Sequence, residues 1–245
     1  MHNISIQRQR GFTLVEIAIV LVIIGLLLGG ILKGQELITS ARVRNIADQN
    51  SGIQAAYFGF IDRYRQIPGD MDLTAATQAI GSQMPPTAAN SSTAGNTGNG
   101  RIDTGDWAEA SNVWAQLSAA QFIQGSYTGG ATSAATYMQA TMAPINAFNG
   151  YVLLGRSDDY QDATGSTTVR LGLVIGAHIP VNVMRELDVK IDDGLPQTGV
   201  LRVTKTGSTS YSTVDATNAD CITTATPIIW DINTNQQDCN AMYLY

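Results

Sequence analysis

The chain is poor in the residues on which most enzyme sites are built. Of its 245 residues, two are cysteine, two are histidine, and 14% are Asp, Glu, Lys or Arg. His2 stands ahead of a long apolar run, so only His178 is left to work beside Cys221 and Cys239. One histidine and two cysteines fall short of the four ligands of a structural zinc site. No Gly-rich phosphate loop precedes a helix, and no Ser/His/Asp pattern stands out. Catalysis is therefore not expected, and neither is a cofactor. Positive charge is also scarce: 14 Lys and Arg against 20 Asp and Glu leave a formal charge of −6. Nucleic-acid binding wants basic patches, so no nucleic acid is expected as a partner. Two absences mark the first quarter of the chain: no charged residue lies between Glu16 and Lys33, and no proline precedes Pro68.

What is present there is an almost unbroken apolar run over residues 12–32, with Glu16 as its one charge, near the start. About 20 apolar residues cross a bilayer as a helix. Arg8 and Arg10 precede the run. The positive-inside rule keeps them cytoplasmic and sends everything after Leu32 across the membrane. A secretory signal peptide has a shorter core, roughly 7–15 residues, with a small-residue cleavage site after it. Here Gly29-Gly30 is a weak substitute for such a site, and the small residue Gly11 stands before the run. Hydropathy alone reads this segment as an ordinary N-terminal anchor.

The string Arg10-Gly11-Phe12-Thr13-Leu14-Val15-Glu16 is more specific. It resembles the processing site of type IV prepilins and type II secretion pseudopilins. The match is dense over residues 10–37 and weak afterwards. The resemblance implies that prepilin peptidase cuts between Gly11 and Phe12 on the cytoplasmic side and methylates the new amine of Phe12. It divides the chain into a leader 1–11, a transmembrane and assembly helix 12–32, an amphipathic half of the same helix 33–67, and a globular head 68–245. Loss of the leader removes Arg8, Arg10 and His2, and takes the charge from −6 to −8.

Glu16 becomes the fifth residue of that processed chain. A carboxylate in a membrane helix costs about 2.5–3.5 kcal/mol at mid-depth, less near an end, so it asks for a reason. Three compatible readings are available. Thr13 and Glu16 have the spacing of a capping box, and an acid in the first turn complements the helix dipole. Burial favours a neutral, protonated Glu. The resemblance implies a third: in pilin filaments this glutamate meets the N-terminal amine of a neighbouring subunit, here that of Phe12.

Beyond Lys33 the helical pattern continues in polar company. Leu37, Ala41, Ile46, Ile53, Tyr57, Phe60, Ile61 and Tyr64 recur at helical spacing, opposite Arg42, Arg44, Asp48, Gln49 and Gln54. Pro68 and Gly69 end the helix near Ile67. Gly25, Gly29, Gly30 and Gly34 interrupt the apolar half, where small residues permit close helix packing or, alternatively, lend flexibility. Many pilins carry a proline near the position of Lys33; this chain does not.

The rest suits one globular α+β domain. Residues 81–100 and 125–141 read as low-complexity loop, 106–122 as a helix, and 181–187 as a short helix opened by Pro180. Strands are expected over 151–154, 169–175, 200–203, 211–214, 228–230 and 242–244. The predicted fold is a long N-terminal helix packed on an antiparallel sheet, as in pilins. Across the membrane, Cys221 and Cys239 read as a disulfide, with two buried thiols as the alternative. Pilins often close a C-terminal loop in this way. Asn99, Asp103 and Asp106 have part of a calcium-loop spacing, with Gly95 and Thr97 where ligands belong. The competing reading is a glycine turn running into a helix capped by Thr104 or Asp106. A second acidic group, Asp188, Asp192 and Asp193, matches no calcium motif.

Together these features predict a structural subunit of a type IV pilus-like filament. It would wait in the inner membrane, single-pass with its head outside the cytoplasm, and then enter a periplasmic or cell-surface filament. Its partners would be prepilin peptidase, membrane lipid before assembly, and other copies or related pilin subunits. Two alternatives stand beside it: a pseudopilin of a type II secretion system, and a monomeric membrane-anchored extracytoplasmic binding protein. The missing proline and the loop-rich head tilt toward a minor or pseudopilin role.

Overall fold

The computed structural model describes residues 13–81, 98–205, 211 and 220–245. The chain divides into two compact units, Met1–Ala41 and Arg42–Tyr245. Helix α1, Leu14–Tyr64, contributes to both. In the first unit it runs without a break through Gly25, Gly29, Gly30 and Gly34. Every residue from 13 to 33 is exposed. Gly11 and Phe12 lie outside the described residues.

The second unit is α+β. After α1 come α2 (Leu73–Ile80), α3 (Trp107–Ala119), α4 (Ala134–Tyr137), β1 (Leu153–Ser157), β2 (Arg170–Val174), α5 (Val181–Ile191), β3 (Leu201–Val203) and β4 (Ala241–Leu244). The sheet order is β1-β2-β4-β3 and every pairing is antiparallel. Leu153 opposes Val174, Gly172 opposes Leu244, and Leu201 opposes Tyr243. The last strand of the chain is therefore an inner one.

The buried stripe of α1 is Val43, Ile46, Asn50, Ile53, Ala56, Tyr57 and Phe60. It starts later than the sequence pattern predicts: Leu37 and Ala41, in the first unit, are exposed. Steps of three and four residues keep this set on one face. Asn50 is tolerated inside the stripe because Tyr245 donates its hydroxyl to Asn50 Oδ1 at 3.1 Å. The stripe feeds two apolar clusters. Ile53, Tyr57 and Phe60 join Trp114, Leu153 and Leu173. Val43 and Ile46 join Ile179, Leu187, Leu201, Trp230 and both cysteines.

α1 ends at Tyr64, earlier than predicted, because Arg65 takes a left-handed conformation with φ +56°. Gly69 follows with φ +96°, and a Cβ there would sit 2.7 Å from both the Glu109 carbonyl oxygen and Val113 Cγ2. Only glycine allows the chain to pass that close to α3.

α3 departs most from expectation. It stops at Ala119, not at 122, since Gln121 turns left-handed with φ +64°. Residues 108–117 are all buried, so the helix has no solvent face. Its polar side chains bind backbone instead of water. Gln116 accepts from the Gly69 N–H at 2.7 Å and donates to the Met71 carbonyl at 3.0 Å. Asn112 and Ser111 accept from the N–H groups of Gly130 and Ala131 at 2.8 and 2.9 Å. The 125–141 segment is thus an ordered cover on α3, and it holds α4, which begins with a Ser133/Thr136 capping box.

Among the predicted strands, 228–230 is corrected. Only an isolated bridge, Ile222 to Trp230, forms there. Trp230 points its indole N–H at Asp188, 2.7 Å away, and anchors the segment by its side chain. Residues 212–214 of the 211–214 strand fall outside the described residues; Tyr211 itself is buried. α2 and α4 were not anticipated. α2 is eight residues, capped by Asp72, which accepts from the Ala75 N–H at 2.9 Å.

Candidate functional site

The N-terminal segment is the first candidate. Thr13 is the residue before α1, and Glu16 lies in its first turn. The Glu16 carboxylate accepts from the Thr13 N–H at 2.7 Å and from the Thr13 hydroxyl at 2.9 Å. The Thr13 hydroxyl oxygen accepts from the Glu16 N–H at 3.3 Å. This reciprocal pattern is a capping box, which satisfies two helix N–H groups that otherwise lack partners. It holds the carboxylate against Thr13 at the start of α1. Beyond it, Ile17 to Leu32 present only apolar and glycine side chains, all exposed, on a helix long and apolar enough to cross a membrane. Such a surface is stable in lipid or against other apolar helices, and unstable in water.

In the head, Cys221 and Cys239 are joined by a disulfide with Cα atoms 5.8 Å apart. Both are fully buried. Cys239 pairs with Ile179 through its backbone, and the Cys221 carbonyl accepts from the Asp231 N–H at 3.0 Å.

Asn99 and Asp103 meet through their side chains, and Asp106 caps α3. The Asp103 carboxylate takes Arg101 Nε at 2.6 Å and Asn99 Nδ2 at 2.8 Å. Asp106 is the N-cap of α3 and accepts from the Ala108 and Glu109 N–H groups at 2.9 and 3.2 Å. The capped-helix reading describes this loop. His178 is exposed, with Nδ1 3.2 Å from Asp238 Oδ1.

Two carboxylates that sequence reasoning did not single out organise the same region. Asp70, 4% exposed, receives the N–H groups of Gly98 and Asn99 on Oδ1 at 2.7 and 3.0 Å, and that of Gly100 on Oδ2 at 2.7 Å. Glu109 is fully buried on α3. Its Oε2 accepts from the Asp103 N–H at 2.5 Å, and its Oε1 has no hydrogen-bond partner among the described residues. No local signal marks either residue; their partners are 28 to 30 and 6 positions away.

Burial pushes the Glu109 carboxyl up to about 8, with the charges of Asp106, Asp103 and Asp70 adding to the shift against the Asp103 N–H bond. The native state therefore keeps a proton that the unfolded chain, titrating near 4.5, releases. The contribution of Glu109 to stability falls as pH rises from about 4.5 to 8 and is constant outside that window. Glu109→Gln removes this slope. At pH 8 it is expected to stabilise the protein by on the order of 2 kcal/mol, read from urea unfolding of both forms at pH 5 and pH 8. Equal slopes in the two proteins would refute a protonated Glu109.

At the end of α5, Asp188, Asp192 and Asp193 each offer a carboxylate oxygen, all within 4.8 Å of one another. Burial raises the Asp188 carboxyl to about 7, and the charges of Asp193 and Asp192 push in the same direction against the Trp230 hydrogen bond.

No curated protein and no solved structure matches the chain. Its N-terminus does match a family model: residues 6–32 fit the prokaryotic N-terminal methylation motif, so the capped, exposed apolar helix begins within a type IV prepilin-type signal.

Proposed function

We propose that this chain is a structural subunit of a type IV pilus-like filament. Prepilin peptidase removes residues 1–11 and methylates Phe12, and the mature subunit polymerises through its N-terminal helix. The observation that carries this reading is the methylation motif at 6–32 leading directly into a helix with no buried residue from 13 to 33. Before assembly that helix rests in the inner membrane with the acidic, disulfide-closed head outside the cytoplasm. In the filament it packs against sister helices or those of related pilins, and the Phe12 amine of one subunit meets Glu16 of the next. A lone charge in an apolar core is heavily penalised, so this pair sets axial register more than it adds net stability.

The test is N-terminal sequencing and intact mass of the protein purified from cells with and without the peptidase. Cells with the enzyme are expected to yield a chain beginning at N-methylated Phe12, and cells without it a chain retaining residues 1–11. A mature chain that still begins at Met1 would reduce the protein to a tethered one. Recovery in sheared surface filaments distinguishes a pilin from a type II secretion pseudopilin. The lack of a proline near Lys33 and the loop-rich head tilt toward a minor pilin or a pseudopilin rather than a major pilin.

A further inference from the structure

We propose that Asp188, Asp192 and Asp193 form a binding site in the head for a hard divalent cation, with calcium the best fit. The sequence sets up the site by spacing. Asp188 and Asp192 are four residues apart, so α5 stacks them on one face, and Asp192 and Asp193 cap its C-terminal end. The carbonyl end of a helix carries negative partial charge, so three carboxylates there oppose both one another and the helix. The basic residue of the last turn, Lys190, pairs with Glu186 at 2.6 Å.

The geometry fits one ion. The three carboxylate oxygens lie within 4.8 Å of one another. Oxygens each about 2.4 Å from a calcium ion are at most about 4.8 Å apart. Asp188 supplies the second, independent sign of a ligand. It is fully buried, its Oδ2 accepts from the Trp230 indole N–H at 2.7 Å, and the Gly194 N–H also points to the carboxylate. Its Oδ1 is buried with no hydrogen-bond partner among the described residues. A buried carboxylate oxygen left bare beside two further carboxylates is costly unless a cation meets it.

The other two carboxylates are held in place by the turn that follows. Asp192 Oδ2 accepts from the N–H groups of Val200 and Leu201, the latter at 3.0 Å. Asp193 accepts from the Leu195 N–H at 2.9 Å and from the Thr198 hydroxyl. A carboxylate oxygen retains lone pairs after one such bond. The donor set is oxygen alone, which selects a hard cation over zinc or copper. A bound ion would join the end of α5 to the turn entering β3 and, through Trp230, to the loop closed by the disulfide.

The test uses the full-length chain in detergent micelles, with terbium(III) as the probe and calcium as competitor. Trp230, hydrogen-bonded to a ligand, should act as the antenna for terbium emission. Saturable emission from one site, displaced by calcium, is expected. Asp193→Asn should weaken calcium binding roughly tenfold or more, since it removes a charged ligand from an exposed position. Trp230→Phe should abolish the sensitised emission while calcium still raises the thermal midpoint. Asp188→Asn should behave as Asp193→Asn; where it fails to fold, Asp193→Asn alone decides. No saturable binding, or equal affinity in Asp193→Asn and the unmodified chain, would overturn the site.

Discussion

Glu16→Ala should leave the protein in the membrane at normal levels and reduce filaments to background. Removing the carboxylate deletes the capping box with Thr13, at a cost of about 1 kcal/mol to the start of α1. Insertion does not suffer: the apolar run from Ile17 to Leu32 is intact, and one costly polar group has left the helix. Assembly is different. The amine created at Phe12 would enter an apolar interior with no counter-charge, and breaking a buried pair by removing one partner costs about 3–5 kcal/mol per subunit. Repeated along a filament, that is enough to prevent growth. Glu16→Gln separates the two roles of the side chain. Glutamine keeps an oxygen for the Thr13 N–H but carries no charge. If register depends on charge, Gln fails as Ala does. If Glu16 serves only as a cap, Gln restores filaments. Quantifying sheared filaments and membrane-fraction protein side by side reads both effects, and normal filament yield from Glu16→Ala would sink the assembly role.

Breaking the Cys221–Cys239 bond is expected to have the largest effect on the head. The bridge closes a loop with a sequence separation of 18 residues. In the chain-entropy model a loop of that size contributes roughly 3 kcal/mol. Both sulfurs belong to the apolar cluster that also contains Val43, Ile46, Leu187 and Trp230, so the loop holds one side of that cluster closed. For a domain of about 200 residues, 3 kcal/mol corresponds to a fall of roughly 6–12 °C in thermal midpoint. Cys221→Ala with Cys239→Ala, or reductant on the unmodified chain, should each produce it. Alanine is the better test than serine, because a hydroxyl at these fully buried positions would add an unrelated penalty. An unchanged midpoint in both experiments would mean that the surrounding packing holds the loop without the bond.

How much of this could be read from residues alone depends on how local each cause is. The apolar run, the Thr13/Glu16 spacing and the motif around Gly11 and Phe12 are contiguous in the chain, so they stand out without a fold. The amphipathic stripe of α1 was legible for the same reason, through Ile46, Ile53, Tyr57 and Phe60. Its start was misplaced, at Leu37 in place of Val43, because periodicity says which face is apolar but not where the partner surface begins. β1 to β4 were recognisable from β-branched and apolar runs, whereas 228–230 looked equally strand-like and is held by one indole in place of a ladder.

By itself, the sequence determined the prepilin-type motif and apolar character of residues 6–32, the α+β class, and a capped start of α3 at Thr104 or Asp106, of which the structure selects Asp106. Each rests on neighbours within a few positions, where composition and spacing act directly. The tertiary structure alone decided that α3 is buried on all sides, that Asp70 clamps the glycine turn at 98–100, that burial pushes the Glu109 carboxyl upward, and that Asp188 meets both Trp230 and the two aspartates beyond α5. Those outcomes depend on solvent exclusion and on partners up to 47 positions away, as for Gln116 and Gly69. A polar side chain looks the same in a sequence whether it faces water or backbone, and only the surrounding packing distinguishes the two.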